Sequence, residues 1–321
     1  MKKKVKVRFM DYWSGFNRSI DSYLVLRILR KHYDVDICED ADYVFYSVMG
    51  ESHWSVPDRC VKIFHTGENV VPDFNACDYA IGFDWMEFED RYIRFPLYLF
   101  YDRDLLERMV HKHELPEGWD LETEKTGFCS FVVSNPRNQV RNSAFESLNA
   151  YKKVDSGGRF RNNVGGPVPD KFAFESRHKF SLCFENGSHR GYTTEKLVQA
   201  LAARTVPIYW GDPTVGRVFN TKAIIDVSAY ESIDEVVERV KQVDRDDSLY
   251  IQMLREPSIV PGAPALDEEF QRLEEWLCAI FDQPLEQAYR RNREFYGKFY
   301  RDRHRFLERV DRIRRFFKRT R

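Results

Sequence analysis

The chain has 321 residues, of which 43% are hydrophobic, and its formal net charge at pH 7 is −1. This length suits about two domains of ordinary size, and the composition is typical of a folded protein rather than a disordered one. No stretch approaches the roughly 18 consecutive apolar residues that a membrane-spanning helix needs. The six cysteines form no C-x-x-C pair, which favours reduced cysteines in a cytoplasmic protein.

The first part of the sequence alternates apolar runs with one amphipathic stretch. A helix is predicted over 22–32, where apolar residues recur on one helical face. Short apolar runs bounded by polar turns predict strands over 5–9, 35–38, 43–48, 61–65 and 79–83. This alternation predicts a parallel sheet with helices on its faces. Periodicity is lost and Pro and Gly appear at 114–118, so the first domain is expected to cover residues 1–118.

A second alternation predicts a second α/β domain over 119–288. Strands are predicted over 128–133, 180–184, 206–210 and 224–227. Helices are predicted over 142–151, 195–203 and 233–243. The predicted fold class is therefore α/β, with two domains that each hold a parallel sheet.

One segment of the second domain is the most informative. The predicted strand 180–184 continues through a polar, glycine-containing loop into a helix that Thr193 or Thr194 opens. Such loops are where open α/β sheets bind their ligands, and the N–H groups of a helix N-terminus suit a phosphate. Lys196 in the first turn opposes the helix dipole, which favours a role as an anion ligand. An ordinary capped helix with a surface lysine is the alternative.

The wider pattern of motifs is more specific than this segment. Phe184-Glu185-Asn186 is followed by GY-x-TEK at 191–196 and PIYWG at 207–211. Earlier motifs are TGEN at 66–69, DYAIGFD at 78–84, SNP at 134–136 and GGR at 157–159. In this order, over about residues 4–230, the motifs resemble the α-1,3-fucosyltransferases that build Lewis-type antigens, glycosyltransferase family 10. The resemblance is strongest to the short bacterial members.

The resemblance implies a GT-B fold, in which two Rossmann-like domains face each other across a cleft. It also implies GDP-fucose as donor substrate, inversion at the sugar, and no required metal or other cofactor. Residues 1–118 would then form the acceptor-side domain and residues 119–288 the GDP-fucose-binding domain.

The implied reaction makes two chemical demands. A sugar hydroxyl is a poor nucleophile and needs a base as its bond forms. A diphosphate leaving group develops negative charge that cations or a helix N-terminus must meet. The resemblance places the general base at Glu68, in the GEN motif after the predicted strand 61–65. It places the diphosphate ligands at Lys196 and Arg141.

Other donor-site residues follow from the same resemblance. Asn186 and Tyr192 match positions that contact the diphosphate or the fucose, and Glu195 matches a carboxylate that we assign to the ribose hydroxyls. Ser134 and Asn135 are expected to touch the nucleotide or the sugar. Loop capping, packing and a favourable helix dipole are the ordinary uses of such residues.

No metal site is expected. Asp244-Arg245-Asp246 is a D-x-D pattern, but it follows a helix in a solvated charge run. His111 and His113 lie in the predicted linker and lack a further ligand set. Both patterns are therefore interpreted as ordinary surface sequence.

Residues 289–321 form a tail of distinct composition, with fourteen Lys and Arg against four Asp and Glu, a net charge of about +10. Phe306, Val310, Ile313 and Phe317 recur at the spacing of one helical face. A basic amphipathic helix of this kind is suited to an anionic membrane surface. Packing of the apolar stripe on the body of the protein is the equal alternative.

The sequence thus predicts a cytoplasmic, metal-independent, inverting α-1,3-fucosyltransferase, with peripheral contact to the inner face of the membrane as an added hypothesis. It would move L-fucose from GDP-β-L-fucose to the 3-hydroxyl of GlcNAc in N-acetyllactosamine-type acceptors, giving a Lewis x type product. An α-1,4-fucosyltransferase, or a transferase for another nucleotide sugar, is the alternative within the class. A catalytically inactive glycan- or nucleotide-binding protein is the alternative from another class.

No nucleic-acid partner is expected, because no recognition motif accompanies the basic tail. Trp13, Trp54 and Trp85 are candidates for stacking on acceptor sugars. Core packing is the commoner use of tryptophan, so these three residues are not assigned to the site.

Overall fold

The computed structural model describes the backbone of residues 2–319 and the side-chain surroundings of residues 2–315. The strands are β1 (Lys4–Met10), β2 (Asp34–Ile37), β3 (Tyr43–Tyr46), β4 (Val61–His65), β5 (Tyr79–Gly82), β6 (Tyr92–Arg94), β7 (Gly127–Phe131), β8 (Val154–Ser156), β9 (His178–Phe184), β10 (Val206–Trp210) and β11 (Ile225–Asp226). The α-helices are α1 (Leu24–His32), α2 (Arg103–Val110), α3 (Leu121–Glu124), α4 (Gln139–Tyr151), α5 (Lys171–Ser176), α6 (Glu195–Ala202), α7 (Ile233–Arg245), α8 (Asp247–Arg255), α9 (Leu266–Asp282) and α10 (Phe295–Arg319).

The chain divides into two compact units. The first contains Met1–Pro96 and Ala265–Arg321, and the second contains Leu97–Pro264. These divisions differ from the boundaries predicted at 118/119 and 288/289. Helix α2, which the sequence analysis did not predict, packs against α6 in the second unit, and α9 returns to pack against α1 in the first. The assignment of the predicted domains to acceptor and donor stays a prediction.

The sheet of the first unit has the strand order β2-β1-β3-β4-β5-β6, and all its neighbours are parallel. Every residue of β3, β4 and β5 is buried. Continuous apolar strands are typical of parallel sheets that are covered on both faces. The five strands predicted for this region are confirmed to within two residues, and β6 was missed.

The sheet of the second unit has the order β11-β10-β9-β7-β8 and is also parallel throughout. All seven residues of β9 are buried. Phe131, Phe180 and Ile208 from three strands form the core with Leu148 of α4 and Val240 of α7. From the first strand the chain moves outward to β8 and then returns to the other side of β7. This is a doubly wound order, 2-1-3-4-5, which creates a reversal point between β7 and β9.

The segment that precedes α10 is held to the first unit by a buried carboxylate. Asp78, just before β5, accepts hydrogen bonds from the backbone N–H groups of Arg290 and Arg291, each at 2.9 Å. It also forms ion pairs with the guanidinium groups of Arg291 and Arg293. The start of the predicted tail is therefore an integral part of the first unit.

Helix α10 packs on the first unit through its charged side. Arg301 is 1% exposed and forms an ion pair with Asp58. Of the predicted apolar stripe, Phe306 is 65% exposed and Ile313 is 57% exposed. Phe317 lies outside the residues whose side chains are described. Val310 is half-buried. Packing of the stripe on the body of the protein, one of the two alternatives, is therefore wrong for Phe306 and Ile313.

Candidate active site

The predicted donor-site residues come together at the reversal point of the second sheet. The loops after β7 and β9 leave these adjacent strands in opposite directions, and doubly wound sheets bind ligands in the crevice that results. Ser134 and Asn135 follow β7, and Asn186 follows β9 two residues beyond its end. All three residues are exposed. The Nδ2 of Asn138 donates to the Glu185 carbonyl at 2.8 Å and so ties the two loops together.

The N-terminus of α6 is organised by a carboxylate rather than by a capping hydroxyl. Thr194 is the N-cap residue, as predicted, but its side chain makes no capping bond. Its N–H and its hydroxyl each donate to the Glu185 carboxylate at 2.7 Å. Lys196 Nζ lies 3.0 Å from Glu185 Oε2 and 3.5 Å from Glu195 Oε1. Burial lowers the pKa of Lys196, but the two carboxylates outweigh it and hold this pKa above its ordinary value.

Arg141 is buried, with 1% of its surface exposed. Its backbone N–H donates to the side chain of Asn138, which caps α4, at 3.0 Å. Its Nη2 donates to the Asn135 carbonyl. Among the described residues, its Nε has no hydrogen-bond partner. A buried guanidinium N–H without a partner is a donor that a phosphate oxygen can satisfy.

The loop that carries Tyr192 is fixed to the end of β10. The Asp212 carboxylate accepts from the Gly191 N–H at 2.8 Å and from the Thr193 hydroxyl at 3.3 Å. The Tyr209 hydroxyl donates to the Tyr192 carbonyl at 3.4 Å. Gly191 has a φ of +79°, the left-handed region that glycine adopts without strain. Tyr192 is only 2% exposed, so its ring is a packed part of this loop.

The GGR motif supports the loop after β7. The N–H of Gly157 donates to the Phe131 carbonyl at 2.9 Å. A Cβ atom on Gly158 would stand 2.0 Å from the carbonyl oxygen of Val133. Only glycine allows this approach of two backbones. The motif, whose role the sequence left open, therefore sets the position of the chain that leads into Ser134.

Glu68 lies in the first unit, in a tight turn after β4. Its N–H donates to the Thr66 hydroxyl oxygen at 3.1 Å, and its carbonyl accepts from the Val70 N–H at 2.7 Å. Its side chain is exposed. His65 of the same strand is buried with its Nδ1 2.6 Å from the Tyr23 hydroxyl, and burial lowers the pKa of this imidazole to about 3. His65 is therefore a packed residue of the strand.

The three tryptophans considered for sugar stacking differ in how much of their rings is covered. Trp54 stacks on His304 of α10, with ring centroids 4.2 Å apart. The Arg94 guanidinium lies 3.7 Å from the centre of the Trp85 ring. Trp13 is 51% exposed. Of these three residues, Trp13 is the one with a ring surface most open to a sugar.

The patterns that were set aside as metal sites have structural partners. Asp244 forms an ion pair with Lys152 at 3.1 Å, and Asp246 caps α8. His111 lies 3.0 Å from Glu114, and both side chains are exposed. Within the part of the chain that the structure describes, no group of three or more His, Cys, Asp and Glu side chains is placed to hold a metal ion.

Two doubly wound α/β units, one with a cationic crevice at its reversal point, form the architecture that glycosyltransferases of the GT-B class share. Two family models agree with this class. That of the α-(1,3)-fucosyltransferase FucT N-terminal domain matches residues 7–101, and that of glycosyltransferase family 10 (fucosyltransferase) matches residues 122–281. Because the two models together match most of the chain, the protein belongs to glycosyltransferase family 10.

Known relatives support this membership. The chain is 33% identical over 287 residues to α-(1,3)-fucosyltransferase FucT of Helicobacter pylori, covering 78% of this chain and 60% of FucT. It therefore spans less than two thirds of that relative's length. Two human proteins match 41% of this chain at 34% identity, over 37% of their own lengths. They are 4-galactosyl-N-acetylglucosaminide 3-α-L-fucosyltransferase FUT6 and 3-galactosyl-N-acetylglucosaminide 4-α-L-fucosyltransferase FUT3.

Solved structures confirm the fold class. A crystal structure of an α1,3-fucosyltransferase matches with a TM-score of 0.78 and 27% identity, covering 92% of this chain and 93% of that one. A crystal structure of an α1,3-fucosyltransferase with GDP-fucose matches with a TM-score of 0.70 and 28% identity, covering 86% and 91%. The expected GT-B architecture of two Rossmann-like domains is thus the fold of this chain.

Proposed function

We propose that the protein is an inverting α-1,3-fucosyltransferase that uses GDP-β-L-fucose and needs no metal. The observation that carries this proposal is the grouping of Lys196, Arg141 and the N-terminus of α6 at the reversal point of the second sheet. Family membership supports a fucosyl donor, and the similar fucosyltransferase that was crystallised with GDP-fucose supports GDP as its nucleotide part.

The donor residues would stabilise the charge of the departing GDP. Lys196 supplies a compact positive charge, and Arg141 supplies a buried N–H group that lacks a protein partner. The N-terminus of α6 adds a partial positive charge. Such fixed donors act most strongly on charge that develops in the transition state. Asn186, Ser134 and Asn135 would contact the donor from the exposed loops.

Glu68 is the proposed general base. It would take the proton of the acceptor hydroxyl while that oxygen bonds to the anomeric carbon of fucose. The bond between this carbon and the GDP oxygen breaks at the same time, and its electron pair leaves with GDP. Attack on the face opposite to GDP converts the β-linked donor into an α-linked product. Glu195 would bind the ribose hydroxyls and would therefore take no part in the proton transfer.

The proposed acceptor is the 3-hydroxyl of GlcNAc in N-acetyllactosamine-type glycans. The name of human FUT6 describes transfer to this position, but FUT3, named for the 4-position, matches equally well. Transfer to the 4-hydroxyl therefore stays the alternative within the class. The exposed ring of Trp13 is a candidate surface for the acceptor sugars.

Two measurements separate the proposal from its rivals. GDP release from GDP-fucose should require N-acetyllactosamine, and the product on this type 2 disaccharide should carry an α-1,3 linkage. A product formed on the type 1 disaccharide with an α-1,4 linkage would support the 4-transferase. Binding of GDP without release in the presence of either acceptor would support a catalytically inactive nucleotide-binding protein.

We also propose that the outer face of α10 contacts an anionic membrane surface. Phe306 and Ile313 are exposed there, beside the exposed side chains of Arg312 (68%) and Arg314 (75%). Exposed apolar residues flanked by arginines are typical of a helix that lies in the membrane interface. Among residues 2–319, none of the helices has the length and apolar character needed to traverse a bilayer.

A further inference from the structure

We propose that Glu185 is a positioning residue of the donor site, which fixes Lys196 and the N-terminus of α6 where the donor diphosphate binds. This inference rests on the function proposed above and deepens it. The sequence motif drew attention to Asn186. The contacts of the neighbouring Glu185 show that Glu185 is the residue that holds the donor site together.

The contacts of Glu185 favour an ionised side chain, although burial raises the pKa of its carboxyl above the ordinary value. It is fully buried, and its two carboxylate oxygens accept from the Thr194 N–H, the Thr194 hydroxyl and Lys196 Nζ. The corresponding distances are 2.7, 2.7 and 3.0 Å. The Thr194 N–H and the Lys196 ammonium can only donate, and the Thr194 hydroxyl can donate as well, so an ionised carboxylate satisfies all three contacts. A buried carboxylate held in this way is costly unless it is fully bonded, so its position is narrowly defined.

These contacts determine the direction of the Lys196 ammonium. An ammonium group has three N–H donors. One is directed to Glu185 Oε2 at 3.0 Å and a second to Thr194 Oγ1 at 2.9 Å. The third is left for Glu195 or for a donor phosphate. Without Glu185 the four-carbon lysine side chain would recover its rotamer freedom, and ordering it again would cost part of the binding free energy.

Glu185 also contacts the other two parts of the donor site. Its carbonyl accepts from Asn138 Nδ2 in the loop after β7, at 2.8 Å, and its N–H donates to the Trp210 carbonyl of β10, at 2.8 Å. A Cβ atom on Gly211 would stand 2.3 Å from Glu185 Cγ. The glycine of the PIYWG motif therefore leaves room for Glu185, and one residue joins all three segments.

Electrostatic repulsion between Glu185 and the donor phosphates would change GDP affinity in the opposite direction. A carboxylate next to a phosphate site repels the phosphate, so its removal could tighten GDP binding. The 3.0 Å contact to Lys196 compensates the Glu185 charge locally, and the burial of the carboxylate beneath the helix start keeps it out of the exposed crevice. Loss of positioning should therefore outweigh relief of repulsion.

The test is calorimetric titration of GDP into the full-length protein and its variants. Glu185→Gln should weaken GDP binding at least about tenfold, the scale of a lost hydrogen bond to a charged group. If Glu185 acts through Lys196, the double variant Glu185→Gln/Lys196→Ala should bind GDP no more weakly than Lys196→Ala alone. The control is Glu175→Gln, which alters another buried carboxylate of the same unit, bonded to Ser181 at 3.1 Å. It should keep GDP affinity within about twofold of wild type.

Equal or tighter GDP binding by Glu185→Gln would overturn the inference, as would additive losses in the double variant. If Glu185→Gln does not fold, Thr194→Val replaces it, because this change removes the hydroxyl that bonds to both Glu185 and Lys196. Unchanged GDP affinity in Thr194→Val would also contradict the inference. Failure of the wild-type protein to bind GDP would instead overturn the proposed function.

Discussion

The buried ion pairs of Asp78 lead to the most quantitative prediction about stability. The side chains of Asp78 and Arg291 are both 0% exposed, and Arg293, which is 17% exposed, contacts the same carboxylate. Asp78→Asn keeps the size of the side chain but removes its charge, so Arg291 stays buried without a counter-charge. Breaking a buried pair from one side costs about 3–5 kcal/mol of the free energy of unfolding.

This loss corresponds to a fall in the melting temperature of the first unit of about 6–20 °C, at about 2–4 °C per kcal/mol for a unit of this size. Scanning calorimetry measures it directly. The matched control is Asp90→Asn, since Asp90 is 51% exposed and pairs with Arg290 at the surface. Exposed pairs contribute at most about 1 kcal/mol. Equal shifts in the two variants would refute the reasoning from burial.

A second variant and a pH series examine the same pair. Asp78→Asn/Arg291→Met should recover much of the loss, because a hydrophobic side chain in place of a buried charge is often neutral or stabilising. Burial raises the pKa of Asp78, but Arg291 and Arg293 outweigh it and hold the pKa below its ordinary value. The stabilisation is therefore present above the pKa of the unfolded chain, and it is lost as the pH falls through the lower pKa of the folded protein.

Four further predictions concern function. Glu68→Gln should lose at least about two orders of magnitude in turnover and keep its GDP affinity. The control is Glu87→Gln, which changes an exposed glutamate. If Glu68→Gln has near-native turnover, equal to that of the control, Glu68 is not part of the mechanism. Arg141→Gln should weaken GDP binding about 10- to 150-fold, the range for a charge-assisted hydrogen bond; an unchanged dissociation constant would place the diphosphate elsewhere. Turnover should survive dialysis against EDTA, and a loss that Mn²⁺ or Mg²⁺ restores would contradict a metal-independent reaction. The double variant Phe306→Ser/Ile313→Ser should keep its specific activity but co-sediment less with anionic vesicles at low salt. Equal sedimentation of variant and wild type would exclude the outer face of α10 from membrane contact.

The sheets were the part of the fold that the sequence specified best. Strands of a parallel sheet are buried on both faces, so they appear as short apolar runs between polar turns. The ranges predicted for β4 and β10 match the structure without change. The strands β6 and β8 contain only two and one apolar residues, respectively, so they form no such run. The return of α9 to the first unit depends on packing between distant segments, which local composition does not indicate.

The donor site was predicted from motifs, and the residues that support it were not. The motifs gave Lys196 and Arg141 a role. Glu185 lies in a motif but was given no role there, and like Asp212 and Asn138 it acts through hydrogen bonds to distant parts of the backbone or to other side chains. No local periodicity reveals such bonds. One signal was present for Glu185, because a charged residue directly after a largely apolar run is costly to bury unless it is paired.

The positive charge of the tail has two separate uses, and this changes how the membrane hypothesis must be tested. Asp78 and Asp58 pair with arginines as far along the chain as Arg305, at 2.8 Å from Asp58. These arginines stabilise the first unit and are not available to lipid. Exposed apolar residues lie on both sides of Arg305 in α10, since Phe299 and Phe306 are each 65% exposed, and the largely exposed Arg312 and Arg314 lie beyond Arg305. A truncation that removes Arg301 would take away a buried side chain and test folding, whereas changes on the outer face beyond Arg305 test membrane contact alone.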